Sequence, residues 1–190
     1  RQSCWPRPAT SLDQQQAGPQ MTSLADRVIQ VPIGGIAMAQ PPQIVSTLLG
    51  SCVGMVIMDL KHHIVVLAHV VRPDGVGQGM GSGYFANVAA LNARDLALQS
   101  GADPRQLIVK MAGGGSMGAG MRGDIGRRNA AAIKEATYEL GMVFGGHVSG
   151  PADGGCVLFA NPANGRVDVR RLRDSQLGDS QWNELLKDVI

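Results

Sequence analysis

The chain has 190 residues, a net charge of +2 and an apolar fraction of 44%, enough for one domain with a real core and too weakly charged to argue for a nucleic-acid or membrane-surface partner. Its three cysteines, Cys4, Cys52 and Cys156, include no C-x-x-C pair, which excludes a zinc knuckle and a dithiol redox motif. No apolar stretch approaches the ~20 residues a membrane helix needs.

Residues 1–20 are polar and rich in Pro and Gln, and read as a disordered leader. Met21 reads as the start of the folded part, with 21–190 a single domain. The leader has no apolar core of a secretory signal, so a cytoplasmic location is expected, where a free thiol persists. The first strand is expected over Arg27–Val31. Pro32 to Pro42 reads as a turn-rich connection, and Gln43 to Leu49 as a second strand running into Gly50. Two apolar runs follow, Val53–Met58 and Ile64–Val71, broken by Asp59-Leu60-Lys61-His62-His63, which predicts a hairpin. After the glycine-rich stretch 72–83, the apolar residues Tyr84, Val88, Leu91, Leu96 and Leu98 predict an amphipathic helix stopped by Gly101. Leu107–Ala112 reads as a buried strand, Gly113–Gly123 as a second glycine-rich loop and Ile125–Leu140 as a helix stopped by Gly141. Three strands are expected around Met142–Phe144, Val157–Phe159 and Val167–Arg170, the last two joined by an Asn164-Gly165 turn. A short helix over 180–190 closes the chain. The irregular alternation of strands and helices points to an α+β or mixed α/β fold.

The hairpin carries the most informative pair. A turn centred near Lys61 sets Cys52 opposite His69, and opposed residues hold their Cβ atoms roughly 4.5–5.5 Å apart on one face. An imidazole so placed takes the thiol proton, and the thiolate is a strong nucleophile for amide or ester carbonyls. The alternative is a buried cysteine and a satisfied core histidine. Gly50-Ser51 before the cysteine favours catalysis, because small residues let a substrate carbonyl reach backbone N–H donors. Ser46 and Thr47, just upstream, offer a hydroxyl to orient His69.

Three rival constellations are weaker. Gly118 to Gly123 spells G-x-G-x-x-G, but Gly113–Met117 separate it from the strand and no acidic residue closes the next strand. His63 and His69 share a face of one strand but lie about 20 Å apart at roughly 3.3 Å per residue, too far for one metal ion, and His62 and His63 read as solvent-facing turn residues. Arg166, Arg170, Arg171 and Arg173 form a basic cluster that reads as a solvated edge strand.

Several segments together carry a family resemblance. Leu49-Gly50-Ser51-Cys52-Val53 is followed by Ala68-His69-Val70 and Pro73, then by Lys110-Met111-Ala112-Gly113-Gly114-Gly115-Ser116-Met117 and Ile125-Gly126-Arg127-Arg128-Asn129. From about Arg27 to about Arg171 the chain resembles the chemoreceptor glutamine deamidases of the CheD family. The resemblance implies an α+β fold of mixed β-sheets packed as a sandwich with peripheral helices, similar to toxin-type cysteine deamidases. It implies a Cys-His-Thr site, with Cys52 as nucleophile and His69 as base. Ser46 falls on the third position, where the family carries threonine. It further implies hydrolysis of glutamine side chains on methyl-accepting chemotaxis receptors, no metal or organic cofactor, and a CheC-type CheY-phosphate phosphatase as partner. One departure stands out: the family's arginine shortly after a Gly-Gly pair has no counterpart in Gly150–Cys156. With the serine at the third position, it keeps open a second reading, a regulatory module that binds receptors or a phosphatase with little turnover.

Overall fold

A computed structural model of the chain describes residues 25–75, 80–115, 124–151 and 154–172. The expected leader, the helix over 180–190, the glycine motif at 118–123 and Arg173 lie outside the described residues.

Nine strands and two α-helices run in the order β1 (Val28–Gln30), β2 (Ile36–Ala39), β3 (Ile44–Leu49), β4 (Val53–Asp59), β5 (Ile64–Val70), α1 (Ala86–Gln99), β6 (Ile108–Gly113), α2 (Ile125–Glu139), β7 (Val143–Ser149), β8 (Cys156–Asn161) and β9 (Arg166–Arg171). They form a four-stranded sheet ordered β1-β3-β8-β9 and a five-stranded sheet ordered β2-β5-β4-β6-β7. Both are mixed, because β1 runs parallel to β3 and β6 parallel to β7 while the other pairs are antiparallel. This is the α+β arrangement of two mixed sheets with peripheral helices expected from the sequence.

The hairpin strands β4 and β5 are buried along their whole length, which is why they read as unbroken apolar runs without alternation. Their residues still divide by parity. Val53, Met55, Ile57, Ile64, Val66, Ala68 and Val70 pack toward the helices, whereas Val56, Met58, Val65 and Leu67 pack toward the four-stranded sheet. The second set belongs to the space between the sheets, and His69, two residues beyond Leu67, shares that face.

The helices match their expected positions but α1 packs differently from the expectation. Its buried residues are Ala86, Ala89, Ala90, Ala93 and Ala97, while Leu91, assigned to the inner stripe, is 49% exposed. A face of alanines brings the helix backbone close to the sheet, and the larger side chains are left at its margins. Both helices stop as expected, at Gly101 and Gly141 with φ of 98° and 69°. At the end of α2, Gly141 N–H donates to the Tyr138 carbonyl and Met142 N–H to that of Thr137, the bonding pattern of a left-handed glycine cap.

Strand β2 lies inside what reads as a connection. Ile-Ala-Met-Ala has neither period-2 alternation nor β-branched enrichment, and its extended form comes from pairing with β5, Ile36 with Ala68 through Ala39 with Val65. Strand β7 is longer than expected. Its glycines accommodate a register shift against β6 between Val109 and Lys110.

Asp59 closes the β4–β5 turn. Its fully buried carboxylate accepts from the backbone N–H of Lys61 (3.0 Å), His62 (3.1 Å) and Asp103 (2.8 Å) and from His62 Nδ1 (2.7 Å). Burial alone raises its pKa, but the Asp103 and His62 bonds outweigh it and hold the carboxyl below the usual range. His62 and His63 are turn residues, as expected: His62 pairs with Asp59, and His63, at φ 54°, lies within 3.1 Å of the Pro162 carbonyl. Asp59→Ala orphans three backbone donors and is expected to cost about 2–4 kcal/mol, measured by chemical denaturation.

Candidate active site

The hairpin register places Gly54 opposite His69 and Val53 opposite Val70. The expected direct opposition of Cys52 and His69 is therefore corrected by two residues. The turn is closed by Asp59 and Ile64, so its centre falls beyond Lys61 and every pair shifts with it. A two-residue slip preserves the face. Cys52 sits immediately before β4, half-buried against the cluster between the sheets. It is a diagonal neighbour of His69, and diagonal positions lie roughly 7–8 Å apart, within reach of long side chains. Gly54 places no side chain directly across from the imidazole; a Cβ there would come 3.0–3.1 Å from Leu158 and Leu49.

His69 is 2% exposed. Its Nδ1 lies 2.7 Å from Thr47 Oγ1, and that hydroxyl donates to the Val31 carbonyl at 2.8 Å. A hydroxyl has one proton, and a carbonyl only accepts. With the Thr47 proton committed to Val31, Thr47 Oγ1 accepts from Nδ1–H, which leaves Nε2 unprotonated and free to take a proton. Burial pushes the His69 pKa down to about 4 and pushes the Cys52 thiol up. The pair therefore rests as a neutral thiol and a neutral imidazole near pH 7, not as an ion pair.

The hydroxyl that meets His69 belongs to Thr47, and the expected contact from Ser46 is corrected. On β3, Val45 and Leu49 pack into the space between the sheets, with Thr47 between them in the alternation. Ile44 packs on the other face with Val157 and Phe159, and Ser46 shares that parity. Ser46 Oγ is buried without a hydrogen-bond partner. Counting back from Cys52 crosses the Gly50-Ser51 bend, where strand alternation is lost, so the offset does not fix which hydroxyl faces inward.

Gly113, Gly114 and Gly115, at the end of β6, pin the nucleophile candidate from the neighbouring strand. Gly114 N–H donates to the Cys52 carbonyl (2.8 Å), Gly115 N–H to Gly50 (3.1 Å) and Gly150 N–H to Gly113 (2.7 Å). A Cβ on Gly113 would come 2.6 Å from the Cys52 carbonyl oxygen, and one on Gly126 of α2 would come 2.5 Å from the Gly114 backbone. Only glycines let β6, α2 and the cysteine bend approach this closely. Among the described residues, no carbonyl accepts from Cys52 N–H.

Two polar residues near the site had no role assigned from sequence, although Asn129 ends one of the segments that carry the resemblance. Asn129, fully buried on α2, donates from Nδ2 to the Val71 carbonyl (3.1 Å), two residues beyond His69. Its signal was an amide on the same helical stripe as Ile133. His147 Nε2 lies 3.2 Å from the Gly113 carbonyl, a contact that only the β6–β7 pairing creates. Of the basic residues expected on an edge strand, Arg166, Arg170 and Arg171 lie on β9, at the edge of the four-stranded sheet, where Arg166 pairs with Asp168 at 3.0 Å. Cys156 is buried opposite Leu49.

Fold and site together define a two-sheet α+β protein with a free cysteine diagonal to a buried, threonine-bonded histidine on one hairpin face. Residues 73–171 match the family described as CheD chemotactic sensory transduction, and the chain belongs to the CheD family. It is 29% identical over 161 residues to the probable chemoreceptor glutamine deamidase CheD of Methanococcus vannielii, covering 83% of this chain and 97% of that protein. An aligned stretch that long includes Cys52 and His69 wherever it starts. It is 33% identical over 156 residues to the probable chemoreceptor glutamine deamidase CheD 2 of Geobacter metallireducens, covering 77% and 95%. Among solved structures, the Bacillus licheniformis hypothetical protein YfiH aligns with a TM-score of 0.42 and 13% identity, over 61% of this chain and 50% of that one; no conclusion rests on it.

The buried histidine has a consequence for stability. Below its ordinary value of 6.5 the unfolded chain takes up a proton that folded His69 refuses until about 4. Stability therefore falls as pH drops through that window, by up to about 3 kcal/mol. Denaturation midpoints measured across it are expected to show this slope in the wild type and to lose it in His69→Gln.

Proposed function

We propose that the chain hydrolyses selected glutamine side-chain amides on methyl-accepting chemotaxis receptors to glutamate and ammonia, working in the cytoplasm. The observation that carries this reading is the Val31–Thr47–His69 relay, which leaves Nε2 basic on the face that holds the Cys52 thiol. The names of the relatives supply the substrate class.

In the first step the Cys52 proton moves to His69 Nε2 as sulfur bonds to the amide carbon. The oxyanion is held by Cys52 N–H, which has no acceptor among the described residues. The imidazolium returns its proton to the departing nitrogen, the C–N bond breaks, and ammonia leaves a thioester. Neutral His69 then takes a proton from water, the hydroxide attacks the thioester carbon, and the thiol departs with that proton. Thr47 keeps Nε2 as the acceptor by accepting from Nδ1–H, and it stabilises the imidazolium through the same bond. No step requires a metal or organic cofactor.

The regulatory alternative loses one of its two grounds, because a threonine does meet the histidine; the absence of an arginine within Gly150–Cys156 remains. A CheC-type phosphatase as binding partner belongs to both readings. Turnover separates them.

The test is mass spectrometry of a cognate receptor's cytoplasmic fragment, following conversion of glutamine amides to acids. Wild type is expected to convert specific glutamines and Cys52→Ala none, with little change in melting temperature. Thr47→Val, which keeps the volume and loses the hydroxyl, is expected to lower kcat at least about tenfold, and Ser46→Ala to stay within about twofold of wild type. Equal losses in the Thr47 and Ser46 variants would remove the relay from the mechanism.

A further inference from the structure

We propose that Ile33 and Met80 form an apolar lip over the His69–Thr47 relay that seats an aliphatic side chain next to the target glutamine, making both residues determinants of substrate choice. The inference rests on the glutamine-hydrolase reading and names the contact that reading lacks. Ile33 is 71% exposed and Met80 53% exposed.

Their position is set by backbone bonds. Val31, two residues before Ile33, gives its carbonyl to Thr47. Gly34, the residue after, donates its N–H to the His69 carbonyl at 3.1 Å, and His69 N–H donates to Gly35 at 3.0 Å. Ile33 is thus held between one anchor on the relay, the Val31 carbonyl, and one on the main chain of His69. Gly83 N–H donates to the Gly34 carbonyl at 2.9 Å, and Gly81 packs against Gly34 so tightly that it has no room for a Cβ. That contact brings Met80 beside the same loop.

The chemistry of the substrate does the rest. The amide carbon of a glutamine is only three bonds from its Cα. When that carbon meets the Cys52 sulfur, the substrate backbone lies at the mouth, and its neighbouring side chains meet whatever stands there. Ile33 offers a fixed branched surface and Met80 an adaptable one, which suits an aliphatic neighbour and penalises an acidic one.

The experiment is steady-state deamidation of the receptor cytoplasmic fragment by wild type, Ile33→Asp, Met80→Asp and Ile33→Leu, with Leu91→Asp on the outer side of α1 as a control. Alkylation of Cys52 by iodoacetamide, too small to need the lip, reports on the site itself. The Asp variants are expected to raise KM about tenfold with kcat and alkylation within about twofold, Ile33→Leu to restore KM, and the control to match wild type. Unchanged KM in both Asp variants overturns the lip. So does a parallel fall in kcat and alkylation, which makes the loop a support for His69 only. If wild type shows no turnover, the hydrolase reading fails separately, and fluorescence anisotropy of the labelled fragment decides the lip. Weaker binding by the Asp variants supports it; equal binding, or none by wild type, overturns it.

Discussion

One hydroxyl group links the two sheets at the candidate site. Thr47 belongs to the four-stranded sheet and His69 to the five-stranded sheet, and the hydroxyl between them also reaches the carbonyl of Val31. Buried polar groups are tolerated when each has a partner. Here the chain of bonds satisfies the imidazole on one nitrogen and, by using the single hydroxyl proton, settles which nitrogen stays basic. Packing between the sheets and the protonation state of the site are therefore one constraint.

The remaining architecture fixes the cysteine on the same face as that histidine. The cysteine lies just outside a strand, where its own N–H escapes the ladder, yet its carbonyl is fixed by Gly114. The contacts of Gly113 with the Cys52 carbonyl and of Gly126 with Gly114 leave no room for side chains. The alanine face of α1 and the glycine at the start of α2 draw the helical layer close to the central strands. A half-buried thiol and a buried histidine both favour their neutral forms, which accords with the proposed step in which the proton moves as sulfur attacks rather than beforehand.

Much of this was legible from residue order. The β4–β5 hairpin, both helices and their glycine stops, and the strands from β6 onward follow from apolar runs and punctuation. What escaped were elements whose form depends on a partner. β2 is a short alanine-rich run that only β5 makes into a strand. The burial of α1 through alanine rather than leucine depends on how closely the sheet approaches it. The contacts of Asn129 and His147 join residues 58 and 34 positions apart in sequence.

The sequence by itself determined that a cysteine and a histidine share one face of a single hairpin, because both lie along the same two apolar runs and the observed two-residue shift keeps that parity. It also narrowed the orienting hydroxyl to two adjacent residues, Ser46 and Thr47. Tertiary structure alone decided between them. Neighbouring strand residues point to opposite faces, and which face of β3 meets β5 depends on how two sheets stack. The turn residue Asp59 likewise gains a partner from the tertiary fold: its carboxylate binds the backbone of Asp103, 44 residues away, and no reading of the hairpin alone contains that contact.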